Sequence, residues 1–326
     1  MQVFLTFDCE DFINPQSTYA LKRILELLQK YDLRAIFFLT GHMCEKFKNY
    51  PQILDLLEKH EIGYHSSAHS VHPTIFEYTD VEDYDEACKI SLERETSRID
   101  PLTGKMEGRG GLLLLKDVFP NKPIVAFRAP GFCWSPPHLD ALEKLGIRFD
   151  FSTGLSTVPI HYRNITFYPH PVLGTGVLFS TVSPFGKLSG FEIANLVEKS
   201  IRLGSMVSII HPHNFVDAEN WDLDYLTGNP EHLHSVPTKS WQQISIILRG
   251  FEVFLRRVSF LANSKALEVT PPLRKGTSKT HFTKKQILRS YRRSTSWPRK
   301  SFNYTPRFLL KHFFKYFHIS DSNADT

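Results

Sequence analysis

His65 and His69 stand four apart in the run Tyr64-His65-Ser66-Ser67-Ala68-His69-Ser70. On a helical turn or a wrapped loop, two imidazoles at that spacing face one way and can close on a single zinc-like cation at about 2.0–2.1 Å. The chain holds 15 histidines, so the pair reads as half of a metal site only if other residues answer it. Asp8, Glu10 and Asp11 cluster where the apolar run of residues 1–7 ends. In extended chain Asp8 and Glu10, two apart, project to the same side, so one can ligate a metal while the other takes a proton. The same Asp-Cys-Glu-Asp stretch also suits a helix cap or an exposed turn. Farther on, Arg128-Ala129-Pro130-Gly131 and His211-Pro212-His213 each follow an apolar run of strand length, and Asp150 ends the strand-like Ile147-Arg148-Phe149-Asp150.

Strands must present these residues, and the hydrophobic pattern supplies them. Residues 1–7 and 35–39 read as buried strands. Between them Leu21, Ile24, Leu25 and Leu28 mark an amphipathic helix that closes near Asp32. The pattern repeats with a helix over 51–59, a strand over 62–64 that leads into the histidine pair, and a charged helix over 82–98. A strand over 124–127, a helix over 137–145 and a strand over 147–150 follow. Next come a helix over 191–203, a strand over 206–210, a long helix over 241–261 and a strand over 266–270. Residues 166–190, rich in Phe, Pro, Thr, Ser and Gly, read as a hairpin or loop over the site. Alternating strands and helices predict an α/β fold whose parallel sheet, with right-handed crossovers, closes or nearly closes into a barrel. In such a fold chemistry gathers at the carboxyl ends of the strands, where every residue named above falls.

In order, Thr6-Phe7-Asp8-Cys9-Glu10-Asp11, His65-Ser66-Ser67-Ala68-His69, Arg128-Ala129-Pro130-Gly131, Phe149-Asp150-Phe151-Ser152 and Ile209-Ile210-His211 resemble the five motifs of the polysaccharide deacetylase (NodB-homology, carbohydrate esterase) family. The resemblance spans about residues 1–270. It implies a distorted (β/α) barrel with one divalent metal, zinc first among the candidates, and removal of an acetyl group from a sugar. Many members carry adjacent aspartates in the first motif, whereas here Cys9 follows Asp8. That departure resembles the branch of certain peptidoglycan deacetylases and allantoinase-like amidohydrolases. It implies Asp8 as base and Glu10 as metal ligand with His65 and His69, with Asp11 the reserve ligand. His211 is then the acid that protonates the leaving nitrogen. Arg128 pairs with Asp8, and Asp150 braces the guanidinium. Asp150, Pro130 and His213 stand on the substrate side, Pro130 and Gly131 shaping their turn and His213 orienting His211 or touching substrate. The expected reaction is hydrolysis of an N-acetyl group on an amino sugar or glycan intermediate. The alternatives are an allantoinase-like hydrolase of a non-sugar C–N bond and a non-catalytic glycan- or membrane-binding protein.

Composition divides the chain near residue 270. The whole carries a net charge of +5, yet from Pro271 onward 13 Lys and Arg face 2 Asp, which leaves −6 for residues 1–270. The division predicts a catalytic barrel over 1–270 and a basic, aromatic-rich tail over 271–326. If helical, the tail sets Arg307, Lys311 and Lys315 in one basic stripe beside Phe308, Phe313, Phe314 and Phe317, a pattern suited to an anionic membrane surface. No stretch is long enough to span a bilayer, and no nucleic-acid reading module is recognisable. The four cysteines are widely spread, with no C-x-x-C, and no signal peptide precedes the first strand. Reduced thiols and a cytoplasmic enzyme, peripheral on the inner face of the membrane, are the expectation. Cys9, beside the expected base, reads as a small buried residue.

Overall fold

A computed structural model describes residues 2–69, 84–100, 103, 105–132, 134, 136–153, 159–169, 189–202, 206–219, 221 and 235–273. The chain opens with two collinear strands, β1 (Gln2–Phe4) and β2 (Thr6–Cys9), interrupted only at Leu5. Helix α1 (Pro15–Lys30) follows, with proline preset for the first helical turn and Lys30 in the last. Its Leu21, Ile24, Leu25 and Leu28, spaced along one face, are fully buried. The chain returns through β3 (Ile36–Leu39), α2 (Gly41–Phe47), α3 (Pro51–Leu57) and β4 (Glu61–Tyr64). Then come α4 (Tyr84–Thr96), a hairpin of β5 (Ser97–Ile99) and β6 (Met106–Arg109), and α5 (Gly111–Val118). The second half holds β7 (Ala126–Phe127), α6 (Pro136–Lys144), β8 (Phe149–Thr153), β9 (Ile160–Tyr162) and β10 (Ile165–Pro169). Helix α7 (Gly190–Arg202), β11 (Met206–Val207), α8 (Trp241–Asn263) and β12 (Glu268–Val269) complete the described elements.

The main sheet runs β2-β3-β4-β7-β8-β10-β9, parallel except for β9 against β10. β11 pairs with β1, and its continuation bridges Ile210 to Phe7, so β11 flanks β1 and β2 on their other edge. β12 fills the remaining edge of β1. The sheet curls strongly. The Phe4 ring of β1 lies 5.1 Å from Tyr168 of β10 and 5.7 Å from Phe151 of β8, strands that lie far from it in the sheet order. Phe4, Ile36, Phe38, Ala126, Phe149, Phe151 and Val207 therefore form an interior core. The larger core, with Leu5, Phe7, Phe37, Leu39 and Phe127, lies between the outer face of the sheet and the helices. Among the described residues no ladder joins β10 or β9 to β11, and on that side the curl is bridged by side chains such as Phe4 and Tyr168.

Several boundaries differ from the sequence expectation, for local reasons. Arg98, expected in a helix, stands in β5 and donates to Glu45 of α2 at 3.1 Å. Part of the stretch expected as a loop over the site, 166–169, is strand β10 of the main sheet, and residues 170–188 lie outside the described residues. Helices α2 and α5 are short and begin at glycine, so neither has the long apolar period that reveals a helix in sequence. The division expected at 270 falls just after β12, and the residues from 274 on lie outside the described residues.

Candidate metal centre and acid-base site

Strand alternation points Thr6 and Asp8 into the barrel and Phe7 and Cys9 into the outer core, and Glu10 continues on the inward side. Cys9 is buried, and its thiol is pushed well above the usual range by burial and then by the charges of Asp8 and Glu10. It is inert packing. Asp11 turns away from the histidines. Its carboxylate accepts from the backbone of Ile13 and Asn14, at 3.0 and 2.9 Å, and from the Ser17 hydroxyl at the start of α1. The reserve ligand is thus engaged in the loop, and Glu10 alone of the two faces His65 and His69.

The histidine loop is wrapped rather than helical. Ser66 and His69 hold φ of 64° and 57°, a region that non-glycine residues rarely occupy. The Ser66 hydroxyl accepts from the His69 amide at 3.1 Å, and the amides of Gly41 and His42 at the start of α2 donate to the Ser66 and Ser67 carbonyls. At Gly41 a Cβ would lie 2.9 Å from the Ser67 carbonyl, so the close approach of α2 that grips this loop requires glycine.

His65 Nδ1 lies 2.6 Å from the Arg128 carbonyl and donates to it, which fixes the ring with Nε2 facing Glu10. Glu10 Oε2 stands 3.2 Å from His65 Nε2 and 2.8 Å from His69 Nε2. One ligand atom from each of the three residues lies within 4.8 Å of the others, and all three residues are buried. Two ligands of one zinc-like ion lie about 3.3 Å apart at tetrahedral angles, so this donor set fits a divalent cation after small adjustment. Burial alone would raise the Glu10 carboxyl pKa. The imidazoles of His69 and His211, with hydrogen bonds from His65 and His69, hold it instead well below the usual range.

Beside this centre, Arg128 is wholly buried and donates Nη1 to Asp8 Oδ1 at 2.5 Å, Nη2 to Thr6 Oγ1 at 2.9 Å and Nε to the Phe151 carbonyl at 3.2 Å. Its plane lies 4.5 Å from the Phe38 ring, a cation–π contact in the barrel interior. Asp8 Oδ2 remains turned toward His211 Nε2, 3.6 Å away, which also lies 3.7 Å from Glu10 Oε2. His211 keeps 17% of its side chain exposed against 3% for Asp8, so it is the group nearer the opening. His213 is buried with Nδ1 3.9 Å from Glu10 Oε1.

Asp150 does not brace the guanidinium as expected. Phe149 and Phe151 point into the interior, so the residue between them lies on the other face of β8, where no ion pair or hydrogen bond joins it to Arg128, whose charge still reaches it. Its Oδ1 accepts from the Ser152 amide at 2.6 Å, Oδ2 has no hydrogen-bond partner among the described residues, and burial raises its pKa to about 7. Pro130 is buried in a short 3-10 turn with Gly131 at φ 58°. Two contributors went unread in sequence. Thr6 links Arg128 to the Ser208 carbonyl of the His211 segment, and Trp221 donates its indole N–H to Glu10 Oε1 at 3.5 Å. Thr6 opens the first motif without a role assigned there, and Trp221 lies outside every motif, so only folding reveals their contacts. Asp217 ties the His211 segment to the first loop through Asp11, and burial followed by that neighbour raises it to about 8.

The model of the polysaccharide deacetylase family matches residues 1–110. Over that stretch the chain is similar to the polysaccharide deacetylases. An uncharacterized 30.6 kDa protein of Geobacillus stearothermophilus is 27% identical over 189 residues, 56% of this chain and 60% of that protein. A putative polysaccharide deacetylase from Mycobacterium smegmatis superposes with a TM-score of 0.45 at 14% identity, over 84% of this chain and 94% of that one. A family 4 carbohydrate esterase from Streptomyces lividans in complex with acetate gives 0.40 at 14% identity, over 82% and 90%. A family 4 pseudoenzyme from Bacillus anthracis gives 0.37 at 16% identity, over 65% of this chain and 54% of that chain. The chain thus spans about half to two thirds of the first relatives it matches. No helix among the described residues is long and apolar enough to cross a membrane.

Proposed function

We propose that this chain is a metal-dependent deacetylase that removes an N-acetyl group from an amino sugar or glycan intermediate. The observation that carries the reading is the convergence of Glu10, His65 and His69 on one point, with Asp8 and His211 beside it. These three residues would hold a divalent ion, zinc by the chemistry of two imidazoles and a carboxylate. Such an ion supplies Lewis acidity to the acetyl carbonyl and lowers the pKa of the attacking water. Asp8 takes the proton from that water at Oδ2, the oxygen left over by its pairing with Arg128. His211, the group nearer the opening, delivers a proton from Nε2 to the departing amine. His213 and Pro130 stand on the substrate side. The basic tail is read as resting on an anionic membrane surface at the cytoplasmic face, a proposal supported by its charge and aromatic content.

The test measures bound metal and acetate release from a panel of N-acetylated sugars. Wild type should hold one metal per chain, His65→Ala should lose it, and Asp8→Asn should keep it while acetate release falls about 10²- to 10⁴-fold. A wild type that holds no metal under any loading condition, with mutants that behave identically, would turn the reading toward a glycan-binding protein without catalysis.

A further inference from the structure

Glu10 divides its two oxygens between two kinds of partner. Oε2 faces His65 Nε2 at 3.2 Å, His69 Nε2 at 2.8 Å and His211 Nε2 at 3.7 Å. Oε1 accepts from Trp221 Nε1 at 3.5 Å, with His213 Nδ1 at 3.9 Å. Trp221 is itself 97% buried. Its ring lies edge-on to Phe12 at 5.3 Å and packs near the His69 and His213 rings at 5.8 and 6.3 Å. The indole therefore contacts the glutamate and two of the surrounding imidazoles while its own position is set by packing.

A glutamate has one more rotatable bond than an aspartate, and its carboxylate turns freely about the last one. A ligand of that length has no fixed oxygen to offer unless the other is engaged. We infer that Trp221 is a positioning residue: its N–H engages Oε1, so Glu10 presents Oε2 alone to the metal. This rests on the reading of Glu10, His65 and His69 as metal ligands. The residue type suits the task. An indole N–H donates only, does not titrate and does not ligate, so it orients the carboxylate at every pH without competing for the ion as a histidine would. Groups that hold a ligating side chain through its second atom typically account for 10- to 100-fold in metal affinity.

The experiment is Zn²⁺ affinity by competition with a chromophoric chelator, together with the visible spectrum of the Co²⁺ form, on the full chain. Trp221→Phe should bind Zn²⁺ 10- to 100-fold more weakly and alter the Co²⁺ band, while the exposed control Trp241→Phe matches wild type. Replacing Trp221 by its isostere 3-benzothienylalanine, which keeps the shape and lacks the N–H, should reproduce the loss. Glu10→Asp shortens the side chain away from the indole, so adding Trp221→Phe to it should cost little more, a non-additivity that packing alone would not produce. Unchanged Zn²⁺ affinity in Trp221→Phe, while His65→Ala abolishes binding, would overturn the role of Trp221 and leave the metal site standing. Full affinity in the isostere would likewise overturn it. A wild type that binds no Zn²⁺ would remove the metal reading and this inference together.

Discussion

Arg128 shows how much one side chain can be asked to do. It is fully buried, and its three donor nitrogens serve Asp8, Thr6 and the Phe151 carbonyl in different directions. A lysine keeps the charge and cannot reproduce that planar fork. Arg128→Lys is expected to cost about 3 kcal/mol in urea denaturation, the lower end for disrupting a buried ion pair, and to reduce acetate release because Asp8 is no longer held. His60 carries a different prediction. It is buried against Phe37, and burial, followed by the nearby Arg34, Lys122 and Lys59, lowers its pKa from 6.5 to about 4. The folded state keeps this imidazole neutral. Its stabilising share is therefore complete above about pH 6.5, where the unfolded chain is neutral too, and is lost as pH falls toward 4. In His60→Gln the loss of stability between pH 7 and 4 should shrink by about 3 kcal/mol, read from denaturation midpoints at the two pH values. An unchanged acid limb would remove His60 from the account.

At the level of strands and helices, the site depends on contacts one layer beneath it. Gly63 of β4 points into the barrel, where a Cβ would stand 2.5 Å from Cδ1 of Phe38. Phe38 in turn lies against the Arg128 guanidinium. Gly63→Ala should cost about 1–3 kcal/mol by overpacking and depress activity without touching any proposed ligand, measured as stability and acetate release with metal content unchanged. At the other end of the chain, α8 is secured by a capping box in which Ser240 and Gln243 satisfy each other's backbone amides. The period-3.6 pattern of α1 and α8 was readable because their buried stripes are long. The hairpin β5–β6 was not, because its short strands lack a period that separates them from loop, and neither was β10, whose five residues run straight into a Pro- and Gly-rich stretch.

For the molecule as a whole, the question is what the basic segment adds to the barrel. Residues 274–326 follow the last described strand, and they carry most of the excess positive charge. Truncation after Leu273 should leave deacetylation of a water-soluble substrate unchanged and remove co-sedimentation with anionic vesicles, with each basic residue worth on the order of 1 kcal/mol at such a surface. Binding that survives truncation, or that ignores salt, would assign attachment to another surface. The sheet itself already explains why the five motifs, scattered over residues 6–211, meet: parallel strands deliver every carboxyl end to one rim.

The placement of Asp8, His65, Arg128 and His211 at strand ends was legible in sequence, because strand alternation and parallel crossovers are local rules written in hydrophobic spacing, whereas the chemistry expected of them came from the resemblance of their motifs. The choice of Glu10 over Asp11 was not legible in that spacing. It depends on which carboxylate the α1 loop engages, and Asn14 and Ser17 engage Asp11. Likewise Asp150 makes no direct hydrogen bond to Arg128, because one residue of register decides which face of β8 it occupies. Trp221 reached Glu10 across 211 residues. Contacts of that kind are set by how the sheet curls, and that curl is settled only when the interior rings of Phe4, Phe38, Phe151 and Tyr168 pack together.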